Sequence, residues 1–184
     1  MAKISPVLWA MPLVFAGLTA VLAVGLMRDK AAAVPPVHTG QENEGVQAGQ
    51  KLPPMLLTAL GDLPQFDDAT LRQPGVKLVN FWASWCLPCR AEHAQLIELS
   101  AELPVYGIDY KDETAPALAF LDELSNPFTA LGMDEGATGR DWGLIGLPET
   151  FVINSEGVVV LRYTGPITQK VLKQTIRPAI AAAQ

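Results

Sequence analysis

The hydrophobic pattern opens with a long uncharged run. Between Lys3 and Arg28 no ionisable side chain interrupts the chain, and Ile4 to Met27 is dominated by Leu, Val, Ala and Met. As a helix this run reaches about 36 Å at ~1.5 Å per residue, enough to cross a bilayer core of about 30 Å. The pattern predicts a cytoplasmic stub and transmembrane signal-anchor over residues 1–30. A cleaved signal peptide is the competing reading. Its apolar region is usually shorter, and the small-residue site Ala31-Ala32-Ala33 is separated from the run by Arg28, Asp29 and Lys30. Lys3 on one side and Arg28 with Lys30 on the other leave the orientation undecided by flanking charge.

The pattern then loses its apolar character. Pro35-Pro36, Gly40, Gly45 and Gly49 among polar residues predict a flexible tether over 31–50, with His38 a solvated linker residue. From 51 to 184 apolar runs alternate in period. Met55 to Leu60 and a segment near Phe66 suggest a short hairpin. Val76 to Trp82 is almost wholly apolar, as a strand buried on both faces requires. Cys86 to Leu103 reads as a helix with Leu96, Leu99 and Leu103 inward, stopped by Pro104. Further along, the pattern predicts a strand at Val105–Tyr110, a helix at Thr114–Leu124 and a short strand at Phe128–Leu131. A turn with a short helix follows at Gly136–Leu144. Thr150–Asn154 and Val158–Tyr163 form a hairpin across Ser155-Glu156-Gly157, and Thr168–Ala183 is a last helix. Strands alternating with helices and closing on a hairpin imply an α/β domain: a mixed sheet flanked by helices on both faces.

Composition changes this picture in one respect. A net charge of −6 and the lack of any basic cluster exclude nucleic acid as a partner. The cysteines matter more. The chain has two, Cys86 and Cys89, at the junction between the strand ending near Trp82 and the following helix. A thiol in the first turn of a helix meets unpaired N–H groups and the positive end of the helix dipole, which favour the thiolate. The thiolate is the species that attacks a disulfide. Three residues on, Cys89 lies on nearly the same face and is placed to resolve the mixed disulfide that Cys86 would form. Pro88 fits a first turn, where its missing N–H has no intrahelical partner. A structural disulfide over so short a loop would constrain little of the unfolded chain. A zinc site would need two further ligands, and His38 and His93 are the only other soft ones. The pair therefore reads as a redox dithiol needing neither metal nor cofactor.

Longer motifs sharpen the reading. Trp82-Ala83-Ser84-Trp85-Cys86, Cys89-Arg90-Ala91-Glu92-His93, Tyr110-Lys111-Asp112 and Gly143-Leu144-Ile145-Gly146-Leu147-Pro148-Glu149-Thr150-Phe151-Val152-Ile153 resemble the CcmG/DsbE family of membrane-anchored, thioredoxin-like proteins of cytochrome c maturation. The resemblance implies a thioredoxin-like fold and a thiol:disulfide oxidoreductase. It implies a periplasmic reductant of the haem-site cysteines of apocytochrome c, held at the bacterial inner membrane and recharged by a membrane thiol-electron donor of CcdA/DsbD type. It implies Cys86 as nucleophile, Cys89 as resolving and more buried thiol, and a cis bond before Pro148 that turns the Leu147 backbone toward the sulfurs. Trp85, Leu147 and Pro148 would then contact substrate. Glu149, beside the dithiol, would handle protons. Asn80 departs from the aspartate that thioredoxins carry there, so proton handling moves elsewhere, to Glu149 or Glu92. Glu92 and His93 are otherwise expected at the surface, Trp82 in the core, and Tyr110-Lys111-Asp112 at the active-site edge. The competing functions are a general periplasmic thiol oxidase or isomerase, a tethered reductant of other secreted proteins, and a non-catalytic adaptor holding apocytochrome or a maturation partner.

Overall fold

The computed structural model describes residues 45–184; the signal-anchor and most of the tether lie outside the described residues. Among the described residues no helix is long and apolar enough to cross a membrane. A short helix α1 (Asp68–Leu71) leads to β1 (Lys77–Trp82), α2 (Leu87–Ser100), β2 (Val105–Tyr110), α3 (Thr114–Leu124), β3 (Ala130–Asp134), α4 (Ala137–Trp142), β4 (Glu149–Ile153) and β5 (Val159–Thr164). The C-terminal helix runs as α5 (Gln169–Val171), a π-helical turn (Leu172–Ile176) and α6 (Arg177–Ala182).

The five strands form one mixed sheet in the order β3-β2-β1-β4-β5. β1, β2 and β3 are parallel neighbours, while β4 runs antiparallel to both β1 and β5. Successive right-handed crossovers in one direction put their helices on one face. Accordingly residues of α2, α3 and the C-terminal helix share one apolar layer with Leu78 and Trp82. The return from β3 to β4 crosses the other face, where Trp142 of α4 and Leu71 of α1 pack with Val79, Phe81 and Phe151. The all-buried pattern of β1 follows from this double cover.

Three predicted elements differ. Met55–Leu60 does not pair with the Phe66 segment. Thr58 instead exchanges backbone hydrogen bonds with Met133, at 2.9 and 2.8 Å, and covers the β3 edge of the sheet. The Phe66 segment leads into α1, where Asp67 and Thr70 form a reciprocal capping box. The β3 strand starts two residues later than expected, because Phe128 is used for packing. Its ring lies where a Cβ on Gly107 would fall 2.9 Å from Phe128 Cγ, and it stacks on Trp82 with centroids 5.5 Å apart. Finally, the C-terminal helix contains a π turn immediately before Arg177-Pro178. Pro178 has no N–H to continue the α-helical ladder and its ring would clash with the preceding turn. The extra residue in that turn accommodates it.

Candidate active site

The site is built where β1 ends. Trp82 is buried between Phe120 and Phe128, as its apolar surroundings in sequence suggested. Ala83-Ser84-Trp85 then turns the chain, with Cys86 N–H donating to Ala83 O at 3.2 Å. Cys86 is the N-cap of α2, in an extended conformation, and its sulfur accepts from Cys89 N–H at 3.1 Å. The side chain that caps the helix is thus the thiol itself, and the N–H aimed at sulfur is the donor that would stabilise a thiolate after reduction. Pro88 occupies the first turn. Cys86 and Cys89 form a disulfide, and both are nearly enclosed, at 4 % and 2 % exposure.

The turn is fastened from β2. Ser84 N–H donates to Asp112 Oδ2 and Ser84 Oγ–H to Asp112 Oδ1 at 2.9 Å, while Trp85 Nε1–H donates to Lys111 O at 3.1 Å. Lys111 and Asp112 of the Tyr110-Lys111-Asp112 run therefore hold the dithiol loop, a role that the expectation of an active-site edge did not specify. Trp85 and Leu87, on either side of Cys86, expose 60 % and 77 % of their surfaces. Ile145, two residues before Leu147, exposes 77 %. Leu147 packs against the cluster that contains both cysteines, and the Leu147–Pro148 peptide is cis.

The acids fall otherwise than the sequence suggested. Residues facing each other across β1 and β4 share a face, and Phe81 faces Glu149 while Asn80 faces Thr150. Glu149 consequently lies in the layer opposite α2. Its carboxylate accepts from Ile145 N–H at 3.1 Å, from Thr164 Oγ–H at 2.8 Å and from Arg162 Nε–H. Arg162 also donates to the Val46 and Gly143 carbonyls. The expectation that Glu149 stands beside the dithiol is corrected on this point: alternation along β4 turns it away, into a buried ion pair.

Glu92 takes that place. It is buried on α2, one turn past Cys89. One carboxylate oxygen accepts from Asn80 Nδ2 at 2.8 Å, the other from Ile167 N–H at 2.7 Å. Burial pushes its carboxyl up to about 7 against the effect of those two hydrogen bonds. Asn80 also donates to Thr150 Oγ1 at 3.0 Å, so the residue standing where thioredoxins have an acid orients one instead. His93 is buried too. Its Nε2–H donates to Ser125 O at 2.7 Å and its ring meets Phe120 edge-on. Burial holds its pKa below the ordinary imidazole value. Arg90 is partly exposed, paired with Glu123 and lying over the Phe120 ring. Among the described residues no group of His, Cys, Asp and Glu is arranged to hold a metal ion.

A dithiol capping a helix at the end of a central strand, with a cis-proline loop packed against its cluster, defines a thioredoxin-like thiol:disulfide oxidoreductase. The Redoxin family model matches residues 47–176. Over 184 residues the chain is 43% identical to the DsbE homologue of Paracoccus denitrificans, a thiol:disulfide interchange protein, covering 100% of this chain and 98% of that one. It is 45% identical over 136 residues to the thiol:disulfide interchange protein HelX of Rhodobacter capsulatus, covering 73% and 77% of the two chains. A crystal structure described as thiol:disulfide interchange protein DsbE of Chlorobium tepidum superposes with a TM-score of 0.63 at 26% identity, over 75% of this chain and 98% of that one. The chain belongs to the redoxin family, in its DsbE/CcmG group of thiol:disulfide interchange proteins.

Proposed function

We propose that this oxidoreductase is a reductant of the haem-site cysteines of apocytochrome c, tethered to the bacterial inner membrane with its dithiol in the periplasm. The uncharged run from Ile4 to Met27 supports the tether, and a dithiol cycling through a disulfide suits an oxidising compartment.

The observation that carries the reductive reading is the buried Glu92, on the same helix as the dithiol and held by neutral donors alone. A negative charge near the sulfurs opposes the thiolate that the helix N-terminus favours. Disfavouring the thiolate stabilises the disulfide relative to the reduced pair, which lowers the reduction potential. In the forward reaction the Cys86 thiolate attacks a substrate disulfide and expels one substrate thiolate. Glu92 takes the proton from Cys89, whose sulfur attacks Cys86 and expels the second substrate thiol. Two electrons pass to the substrate; Glu92 returns the proton of Cys89 to the second substrate sulfur, the first substrate thiolate takes its proton from solvent, and the protein is left with the Cys86–Cys89 disulfide. Trp85, Leu147 and Pro148 offer the apolar and backbone surface for an extended peptide. A membrane thiol donor of CcdA/DsbD type then restores the dithiol.

The test is the reduction potential of the pair, with a Cys89→Ala trap to name the partner. A potential near or below the ~−270 mV of thioredoxin is expected, together with apocytochrome c or a maturation component in the trapped mixed disulfides. A potential near the ~−120 mV of DsbA would overturn the reductant in favour of an oxidase. A trap holding only other secreted proteins would replace apocytochrome as the substrate.

A further inference from the structure

We infer that Asn80 is a positioning residue whose side-chain amide turns end for end each time Glu92 gains or loses a proton, with the Thr150 hydroxyl following it. Both Glu92 oxygens meet donors only: Oε1 the Asn80 amide at 2.8 Å, Oε2 the Ile167 backbone N–H at 2.7 Å. Asn80 Nδ2 also donates to Thr150 Oγ1 at 3.0 Å, so both of its hydrogens are used. The Asn80 oxygen is enclosed and accepts from no donor. This arrangement suits a carboxylate anion, whose bonds from N–H groups are charge-assisted.

A neutral carboxyl does not fit the same arrangement. Its O–H needs an acceptor, and on either oxygen the hydrogen would meet an N–H. The Ile167 N–H belongs to the backbone and cannot reverse. The Asn80 amide can, because rotation about its broad terminal torsion exchanges Oδ1 with Nδ2 in nearly the same volume. Oδ1 then accepts the Glu92 O–H, which directs the proton to Oε1. The Thr150 hydroxyl accepts from Nδ2 in one state and donates to Oδ1 in the other, since a hydroxyl serves as either. Each protonation state of Glu92 is met by two bonds through one amide. One end of that amide goes unpaired in both states, the oxygen in the first and the nitrogen in the second, so this cost favours neither.

The other titratable groups of this layer are His93 and, when reduced, Cys89 on α2, Asp109 on β2 in register with Trp82, and Tyr163 on β5. His93 is committed to Ser125 O, and Lys77 of β1 to the Gln73 and Gly75 carbonyls. Glu149 of β4 lies in the opposite layer with Arg162. α3 turns Ala117, Phe120 and Leu121 inward and the C-terminal helix Leu172 and Ile176, none of which ionises. The part this turn plays in catalysis rests on the reading that Glu92 takes the proton of Cys89. The turn gives the arriving proton its acceptor, and it reverses when Glu92 returns the proton to the second substrate sulfur.

Nuclear magnetic resonance on the full-length oxidised protein tests the turn apart from thiol chemistry. The Glu92 carboxyl carbon should titrate at about 7. The Asn80 side-chain amide nitrogen and its protons should move with the same midpoint, and Glu92→Gln should remove that movement. Above the midpoint the amide protons should show a nuclear Overhauser contact to the Thr150 β-proton. Below it that contact should vanish, because the nitrogen has moved to the far end of the amide. An Asn80 that keeps its contact with Thr150 on both sides of the midpoint overturns the proposal and leaves Glu92 free to act as a base. Conversely, if the contact switches but Glu92→Gln resolves the mixed disulfide as fast as wild type, the turn is upheld and the reading of Glu92 as the base for Cys89 falls. The deciding contact is read on the wild-type chain, so a variant that fails to fold does not shelter the proposal.

Discussion

Of the two glutamates that sequence reading offers for proton handling, Glu149 turns away from the dithiol and Glu92, otherwise expected at the surface, is buried on its helix. Glu92 sits in the polar run Arg90-Ala91-Glu92-His93 and looks exposed, yet the buried residues of α2 are Cys89, Glu92, His93, Leu96 and Leu99. That spacing is the inward stripe of a helix, so the period announced the burial of Glu92 while its charge argued against it. Glu92→Gln should slow resolution of the mixed disulfide by about a hundredfold, the range of a lost general base. It should also flatten the pH dependence of that step around 7; rapid-quench measurement of mixed-disulfide decay reads both. For Glu149 the signal missed was β alternation, since only the pairing register fixes which face follows Pro148. Glu149→Ala breaks the buried ion pair with Arg162 and should cost about 3–5 kcal/mol of stability by urea unfolding. It should leave the pH profile of thiol exchange unchanged; a profile altered as in Glu92→Gln would return Glu149 to the chemistry.

At the scale of elements, periodicity succeeds where an element is long and one-sided. Val105–Tyr110 and Thr114–Leu124 are found at the expected bounds. It fails between Met55 and Phe66, where Pro53, Pro54 and Pro64 interrupt any ladder and the only local signal is the Asp67/Thr70 capping box. It also fails at β3, because the demand that Gly107 makes on Phe128 is a contact between distant segments and leaves no local trace. Gly107→Ala tests that contact. The new Cβ must displace the Phe128 ring from Trp82, and a loss of about 1–3 kcal/mol is expected from urea unfolding, as for other overpacked cores. The clamp from β2 to the dithiol loop is likewise tertiary. Ser84→Ala removes one of its hydrogen bonds and should lower stability by about 1–2 kcal/mol. Faster exchange of the Trp85 indole proton would show that the loop, rather than the core, has loosened.

For the whole molecule, buried acids make stability depend on pH. Glu92 and Asp109 have carboxyls raised to about 7 and about 8, above their unfolded values near 4. Between those limits the folded protein holds protons that the unfolded chain has released. Stability contributed by both groups is therefore complete below about pH 4 and is lost as pH rises through 7 and 8. His93 acts oppositely: its lowered pKa leaves stability intact above its ordinary 6.5 and erodes it below. The oxidised protein should therefore be less stable at pH 8.5 than at pH 6.5, and the double variant Glu92→Gln/Asp109→Asn should lose most of that difference in thermal melts. An undiminished difference would place the responsible groups elsewhere. The exposed indole of Trp85, adjoining the disulfide, gives the molecule one more property. The other tryptophans among the described residues, Trp82 and Trp142, are enclosed. A solvated indole emits further to the red than an enclosed one, and sulfur in a disulfide quenches a neighbouring excited state. The long-wavelength edge of the intrinsic fluorescence should therefore brighten on reduction and dim on oxidation, so that turnover can be watched in real time without a dye.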